Sequence, residues 1–327
     1  MIEQRASLHV PARDIPIPTS VSPEAQAVMA APMSPPPEYP PLDDLDAWRK
    51  SIQAFDESLA SMMAERVTNA PATIEDMDIG GVRVYEITPH GLAGDDRRLY
   101  VDIHGGGFIH GAGEACKAMG TGSALRFGVR TWAVDYRMPP DHPFPAALDD
   151  CLAVFREALT TRRPDQVVVG GASAGGNLAA AVVLRARDEG LALPAAVVLS
   201  TPAVDLTEAG DSHRTNLGLD PLLTGSGMPA FRLYAGDHEL TDPYVSPLYG
   251  DYTSGFPPAI LTTGTRDLLL SDTVRMHRVL RAAGIEAELH VTEAGGHGGF
   301  MGMAPEDAAI MEETRRFVDA RWGAPAD

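Results

Sequence analysis

The sequence predicts an α/β fold, a mostly parallel sheet covered by helices on both faces. Three observations carry that expectation. From about residue 73, short apolar runs alternate with longer segments of helical periodicity. Several of these runs, such as Gln166–Val169, are short and apolar, as strands buried on both faces are. Two of the helical segments close on a glycine, Gly190 and Gly284, the residue that best fills the left-handed position after a helix end.

The elements follow in order. Residues 1–41 hold ten of the 27 prolines, and the run Pro32-Met33-Ser34-Pro35-Pro36-Pro37 fits neither a helix interior nor a central strand, so an extended arm is expected. In 42–67, Leu45, Trp48, Ile52, Phe55, Leu59 and Met62 recur at steps of three and four and define one apolar stripe on a helix. Six acidic and three basic residues share this stretch, which favours docking on the protein itself over lying on a membrane surface. Val82–Ile87 alternates as a strand, and Leu99–Ile103 and Thr131–Val134 are short apolar strands. Ala146–Leu159 reads as a helix, Gln166–Val169 as a buried strand and Asn177–Asp188 as a helix. Ala195–Leu199, Ala259–Thr262 and Glu286–Val291 are further strands, and Ser271–Ala283 is a helix. Pro305 suits the first position of a last helix with Glu306 and Asp307 in its first turn, and Met311, Val318 and Trp322 share a face. Residues 202–258, rich in Gly, Pro, Asp and Ser, break the rhythm and read as an insertion between two core strands.

Composition narrows the function. Apolar residues are 44% of 327, enough for a sizeable core. The net charge is −19, and Lys50 and Lys117 are the only lysines. Such a surface repels phosphate backbones and anionic lipid, so neither nucleic acid nor membrane is an expected partner. No apolar stretch approaches the length of a membrane span, and MIEQRASLHV lacks the pattern of a secretory signal. Two cysteines, Cys116 and Cys151, make no disulfide framework, so a reducing cytoplasm is the expected location. No HExxH or paired-cysteine spacing points to a metal, and no lysine-bearing phosphate loop to a nucleotide, so no cofactor is expected.

Three motifs carry chemistry. Gly171-Ala172-Ser173-Ala174-Gly175 lies between a strand and a helix. A tight turn there forces Ser173 into a strained conformation and lifts its side chain out of the sheet, at a helix N-terminus that favours a developing anion. An ordinary glycine-rich turn is the bland alternative. His104-Gly105-Gly106-Gly107 follows the strand Leu99–Ile103 and leaves backbone N–H groups bare, as an oxyanion site needs. It lacks the spacing and the lysine of a phosphate cradle. His104 itself, ahead of the glycines, suits an anchoring role for that loop, with Gly105 beside it. His297 sits among Gly295, Gly296, Gly298 and Gly299 after the last strand, where a loop can project an imidazole. Asp149 and Asp150 line a helix, and Glu239 and Asp242 lie in the insertion; all four read as structural or solvated.

These residues resemble the hormone-sensitive-lipase family of α/β-hydrolase esterases. The HGGG of 104–107 stands upstream of Gly171-Ala-Ser-Ala-Gly-Gly-Asn177, and Asp135-Tyr-Arg-Met-Pro-Pro-Asp-His-Pro-Phe-Pro-Ala-Ala-Leu-Asp-Asp150 resembles the signature between them. Tyr244-Val-Ser-Pro-Leu248 and Phe256-Pro-Pro258 also fit. The likeness spans roughly residues 96–322 and departs from the family at Ala172, usually Asp or Thr, and at the second glycine between His297 and Phe300.

The resemblance implies an α/β-hydrolase fold with a helical cap. Residues 1–70 would be the arm and cap helix, 71–205 the first part of the core, 206–240 the cap insertion and 241–327 the second part of the core. It implies a triad of Ser173, Asp267 and His297, with Gly106, Gly107 and Ala174 as oxyanion donors. Asp272, five residues on, stays open as a rival acid; it also suits the start of the following helix. The expected activity is hydrolysis of short to medium acyl esters of a small molecule. The same triad would serve an amidase or a lactonase, and the fold also serves as a small-molecule receptor where the triad histidine is replaced. A homodimer paired through the last strand is a further expectation by resemblance.

Overall fold

The computed structural model describes residues 7–323. Eight strands form one sheet: β1 (Ala72–Ile79), β2 (Val82–Pro89), β3 (Leu99–Ile103), β4 (Arg130–Asp135), β5 (Val167–Ala172), β6 (Ala196–Ser200), β7 (Ala259–Gly264) and β8 (Ala287–Thr292). Their order is β1-β2-β4-β3-β5-β6-β7-β8. β1 pairs antiparallel with β2, and β2 antiparallel with β4. From β4 onward every pairing is parallel. All five residues of β3 are buried, as are Val167, Val168 and Val169 of β5, because helices cover both faces of the central strands.

The helices are α1 (Pro23–Ala30), α2 (Leu45–Thr68), α3 (Glu114–Phe127), α4 (Ala146–Thr161), α5 (Ala174–Asp188), α6 (Ser212–Thr215), α7 (Met228–Ala235), α8 (Leu270–Ala282) and α9 (Pro305–Asp319). α5 is buried almost throughout, its Ala179, Ala180, Ala181, Val182 and Val183 packing into the main core. Gly190 and Gly284 take positive φ just past α5 and α8, as the sequence leads one to expect. Among the described residues no helix is long and apolar enough to cross a membrane.

Several expectations need correction. The proline-rich arm is not extended throughout. Ser22 accepts the Ala25 N–H and Pro23 occupies the first position of α1, where a missing N–H does no harm. Val21 and Ala25 then pack on Ala294, Phe300 and Ala304. In α2 the expected stripe splits. Trp48 is buried and Ile52 and Leu59 half-buried, but Leu45, Phe55 and Met62 face solvent. The inward row runs Trp48, Ile52, Asp56, Leu59, Met63 and Val67, because a straight helix repeats every 3.6 residues and mean steps of 3.4 drift off one face.

The edge strand β1 is half polar and gives no periodic signal. α3 carries three glycine or threonine positions in its middle turns and little amphipathic pattern, yet it packs against β4. α5 begins at Ala174, three residues earlier than expected, directly after Ser173. Trp322 lies beyond the end of α9 but is buried beside Phe317 and Val318, while Met311 is only half-buried. Cys116 and Cys151 are both buried and free.

Candidate active site

Ser173 stands between β5 and α5 with φ +58° and ψ −121°, a conformation that L-residues avoid. Its N–H donates to the Ser200 carbonyl at the end of β6 (2.9 Å), and its carbonyl accepts from Asn177 and Ala203. Gly171 and Gly175 are required by contact as well as by turn. A Cβ at either would overlap the Ile103 carbonyl oxygen, and one at Gly175 would also press on that of His104. The chain thus passes so close to the end of β3 that the strained turn has one route.

The same crowding seats the glycine loop. A Cβ on Gly105 would come 2.8 Å from the Ala172 carbonyl oxygen and 3.4 Å from Ser173 Cβ, so this loop lies against the serine turn. Gly106 and Gly107 take φ of +124° and +61°. The Gly106 carbonyl accepts the Ile109 and His110 N–H groups, closing a turn. The N–H groups of Gly106, Gly107 and Ala174 donate to no acceptor among the described residues. His104 is buried and stacks on Tyr136 with ring centres 4.1 Å apart. Its Nδ1 donates to the Gly105 carbonyl (2.8 Å), and the Tyr136 hydroxyl donates to the His104 carbonyl (2.9 Å). Burial holds its pKa below the usual histidine value, which keeps the ring neutral.

His297 and Asp267 meet. Asp267 is fully buried in the turn after β7, and His297, 6% exposed, lies in the turn after β8. Nδ1 of His297 is 3.1 Å from Asp267 Oδ1. The carboxylate is held in turn by the Leu269 N–H on Oδ1 (2.8 Å) and the Thr263 hydroxyl on Oδ2 (2.8 Å). Burial pulls the His297 pKa down, but the charge and hydrogen bond of Asp267 and the charge of Asp220 outweigh it, and the net direction is upward.

Asp272 goes elsewhere. It is also fully buried, yet it accepts from the Asp205 N–H (3.0 Å) and faces His213 Nε2 (3.1 Å). Burial pushes its pKa up to about 6 against the opposing pull of His213 and the Asp205 N–H. Asp150 is likewise engaged, by a bidentate Arg137 and the Arg137 N–H.

Two residues of the site escape sequence reasoning. Thr201, directly after β6, has φ +41°, a strained value for a β-branched residue. Its hydroxyl lies 2.9 Å from Nδ1 of His297 and 3.5 Å from Nε2, against the ring edge between the two nitrogens. No hydrogen bond joins Ser173 to His297 among the described residues; the Thr201 hydroxyl is the ring's other side-chain partner. The second residue is Asp220, in the insertion, which accepts the His297 N–H (3.1 Å). Neither sits in a motif, so only proximity reveals them.

One set of mixed ligand atoms also converges. His104, Cys116 and Asp135 each offer an atom within 4.8 Å of the others, a grouping that spacing in the chain could not show. Asp135 already accepts the Gly113 N–H (3.0 Å), and burial holds the proton on the Cys116 thiol. The trio reads as a polar cluster at the glycine loop, with His104 and Cys116 buried and Asp135 half-buried.

With this geometry in view, the comparisons are specific. A family model described as an alpha/beta hydrolase fold matches residues 100–301. An esterase of Acinetobacter venetianus is 32% identical over 221 residues, 67% of this chain and 72% of that protein. Hormone-sensitive lipase of Ictidomys tridecemlineatus is 33% identical over 149 residues, 44% of this chain but 20% of that protein. The crystal structure of an esterase matches with a TM-score of 0.88 and 37% identity, covering 97% of this chain and 99% of that one. A further crystal structure, of an esterase from the bacterial hormone-sensitive lipase family, has a TM-score of 0.78 and 28% identity, covering 92% and 99%. Sheet order, serine turn and family match together define an α/β hydrolase. Within that fold the chain belongs to the hormone-sensitive-lipase family of esterases, and it is a carboxylic ester hydrolase.

Proposed function

We propose that this enzyme is a serine carboxylesterase acting on small-molecule esters of short to medium acyl chains, with Ser173, His297 and Asp267 as its triad. The observation that carries the reading is the buried Asp267–His297 pair, together with a serine held at φ +58° whose N–H is bound to Ser200, the neighbour of the Thr201 that touches the imidazole. His297 Nε2 takes the Ser173 proton as Oγ attacks the ester carbonyl. Its Nδ1–H donates to Asp267, which keeps the useful tautomer and stabilises the imidazolium. The undonated N–H groups of Gly106, Gly107 and Ala174 receive the oxyanion, with His104 and Gly105 bracing their loop. The imidazolium returns its proton to the departing alkoxide, leaving an acyl-serine. Water, deprotonated by the same imidazole, then releases the acid.

The segments 7–70 and 206–240 would cover the pocket as a cap; residues 1–6 of the expected arm lie outside the described residues. Their meeting point supports this: Trp48 of α2 and Ala230 and Leu233 of α7 pack together on Ile109, two residues past the glycine loop. A compact apolar wall this near the glycine loop suits short chains better than long ones. The outer edge of β8, at one end of the sheet, is where a second copy would pair.

The test is a series of p-nitrophenyl esters of rising acyl length, with parent and Ser173→Ala side by side. Turnover of short esters by the parent, falling on the order of 10⁶-fold in the variant, is the expected outcome. Equal activity of the two would overturn the assignment, and a parent active only on amides or lactones would move it to another substrate class.

A further inference from the structure

We propose that Asp220, carried by the insertion between β6 and β7, is a positioning residue for the reaction: one buried carboxylate ties the loop of the acid to the loop of the base. The inference rests on the triad reading above. Asp220 is fully buried and accepts four backbone N–H groups. Oδ1 takes those of Leu222 (2.9 Å) and Leu223 (3.1 Å), which folds its own turn. Oδ2 takes those of Leu268 (3.0 Å) and His297 (3.1 Å). Leu268 is the residue after Asp267. A single oxygen therefore sets the backbone of His297 relative to that of its acid partner, across loops that follow different strands.

The neighbouring contacts point the same way. Asn216 donates to the Asp267 carbonyl (2.8 Å) and the Thr265 carbonyl (3.1 Å), and the Ser212 hydroxyl donates to the Leu268 carbonyl (2.6 Å). Pro221 lies so close to Gly296 that a Cβ there would meet its Cδ at 2.5 Å and Asp220 Oδ1 at 3.1 Å. The insertion is thus sewn to both triad loops, with Asp220 the residue common to them. Its four partners are all donors, so an amide cannot replace the carboxylate without turning its NH₂ against at least one of them. The groups facing His297 are Asp267 from the turn after β7, Asp220 from the insertion and the uncharged Thr201 hydroxyl from the end of β6. Asp220 thus places a second negative charge near the ring that becomes cationic in the transition state.

The experiment compares pH–rate profiles of parent and Asp220→Asn on p-nitrophenyl butyrate, with circular dichroism to confirm folding. The expected result is kcat lower by about 10²-fold, as displacement of a catalytic group produces, with KM little changed. The acidic limb of kcat/KM should move to lower pH, because one of the two charges that favour imidazolium is gone. Parent-like kcat, or a loss of kcat with the acidic limb unmoved, overturns the proposal. Should the variant not fold, hydrogen exchange on the unmodified protein decides. Segments 216–224, 266–270 and 295–299 should open in step, and independent exchange overturns it. This second measurement needs no turnover. A parent inactive on every ester with coupled exchange would sink the functional reading and leave the clamp standing.

Discussion

The charge of Asp267 can be separated from its shape, because the structure says which oxygen faces the histidine. Oδ1 is pinned by the Leu269 N–H at 2.8 Å and lies 3.1 Å from His297 Nδ1, while Oδ2 meets the Thr263 hydroxyl. In Asp267→Asn the amide oxygen should keep the Oδ1 position, since an NH₂ there would oppose the Leu269 N–H. The NH₂ then faces Thr263, whose hydroxyl can accept. His297 keeps its Nδ1–H tautomer, and only the charge is lost. With roughly 4 Å between charge centres and an effective dielectric of about 20, that charge is worth about 4 kcal/mol to the imidazolium. The expected loss is therefore on the order of 10³ in kcat, at about 1.4 kcal/mol per decade.

The pH profile should move with it. A histidine can serve as the proposed base only when neutral, so the rate should fall as pH drops through the His297 pKa, which the Asp267 charge raises. The acidic limb of Asp267→Asn should lie at lower pH than the parent's. Initial rates on a p-nitrophenyl ester across the acidic and neutral range measure both effects. Asp272→Asn should stay within about tenfold of the parent, because its carboxylate serves His213 and the Asp205 N–H. An Asp267→Asn variant as active as the parent would refute the reasoning. So would one as inert as Ser173→Ala, which would mean the amide had flipped and imposed the wrong tautomer.

The remaining expectations are independent of that one. Gly175→Ala drives a Cβ into the Ile103 and His104 carbonyl oxygens, so it should lose about 3 kcal/mol or more, read as a lower midpoint in urea. Trp48→Ala empties the cluster with Ile109, Ala230 and Leu233 and should destabilise by about 3–5 kcal/mol; it should also alter the acyl-length preference, since the same residues underlie the proposed cap. Cys116 and Cys151 are buried with thiol pKa values pushed well up, so a thiol reagent should label neither until denaturant is added. Fast labelling of the native protein would contradict that burial.

The legible parts of the molecule were those whose signal is local. Three successive valines read as a buried strand, and the serine between glycines after it as a turn under strain, and the structure has both. Asp267 and His297 were readable from loops at the ends of strands, with their family resemblance. β1 and α3 were not readable. β1 is an edge strand whose outer face meets water, so Glu75, Asp76 and Asp78 interrupt its pattern. α3 is held by close packing on β4, where Gly120 sits against Ala133, and not by an amphipathic stripe. The stripe of α2 was legible as a helix but not as a face, because half of its apolar side chains remain in solvent.

The sequence by itself determined the alternation of strand and helix, the strained serine and the bare glycine loop, since each rests on steric limits of a few neighbouring residues. Which acid reaches the histidine was a different kind of question. Asp267 and Asp272 are five residues apart and equally buried, and only the packed turns direct one toward His297 and the other toward His213. Thr201 against the imidazole, and Asp220 between two loops, were likewise decided by tertiary structure alone. Hydrogen bonds of about 3 Å depend on where distant segments come to rest, and that position is a property of the whole core rather than of any stretch of chain.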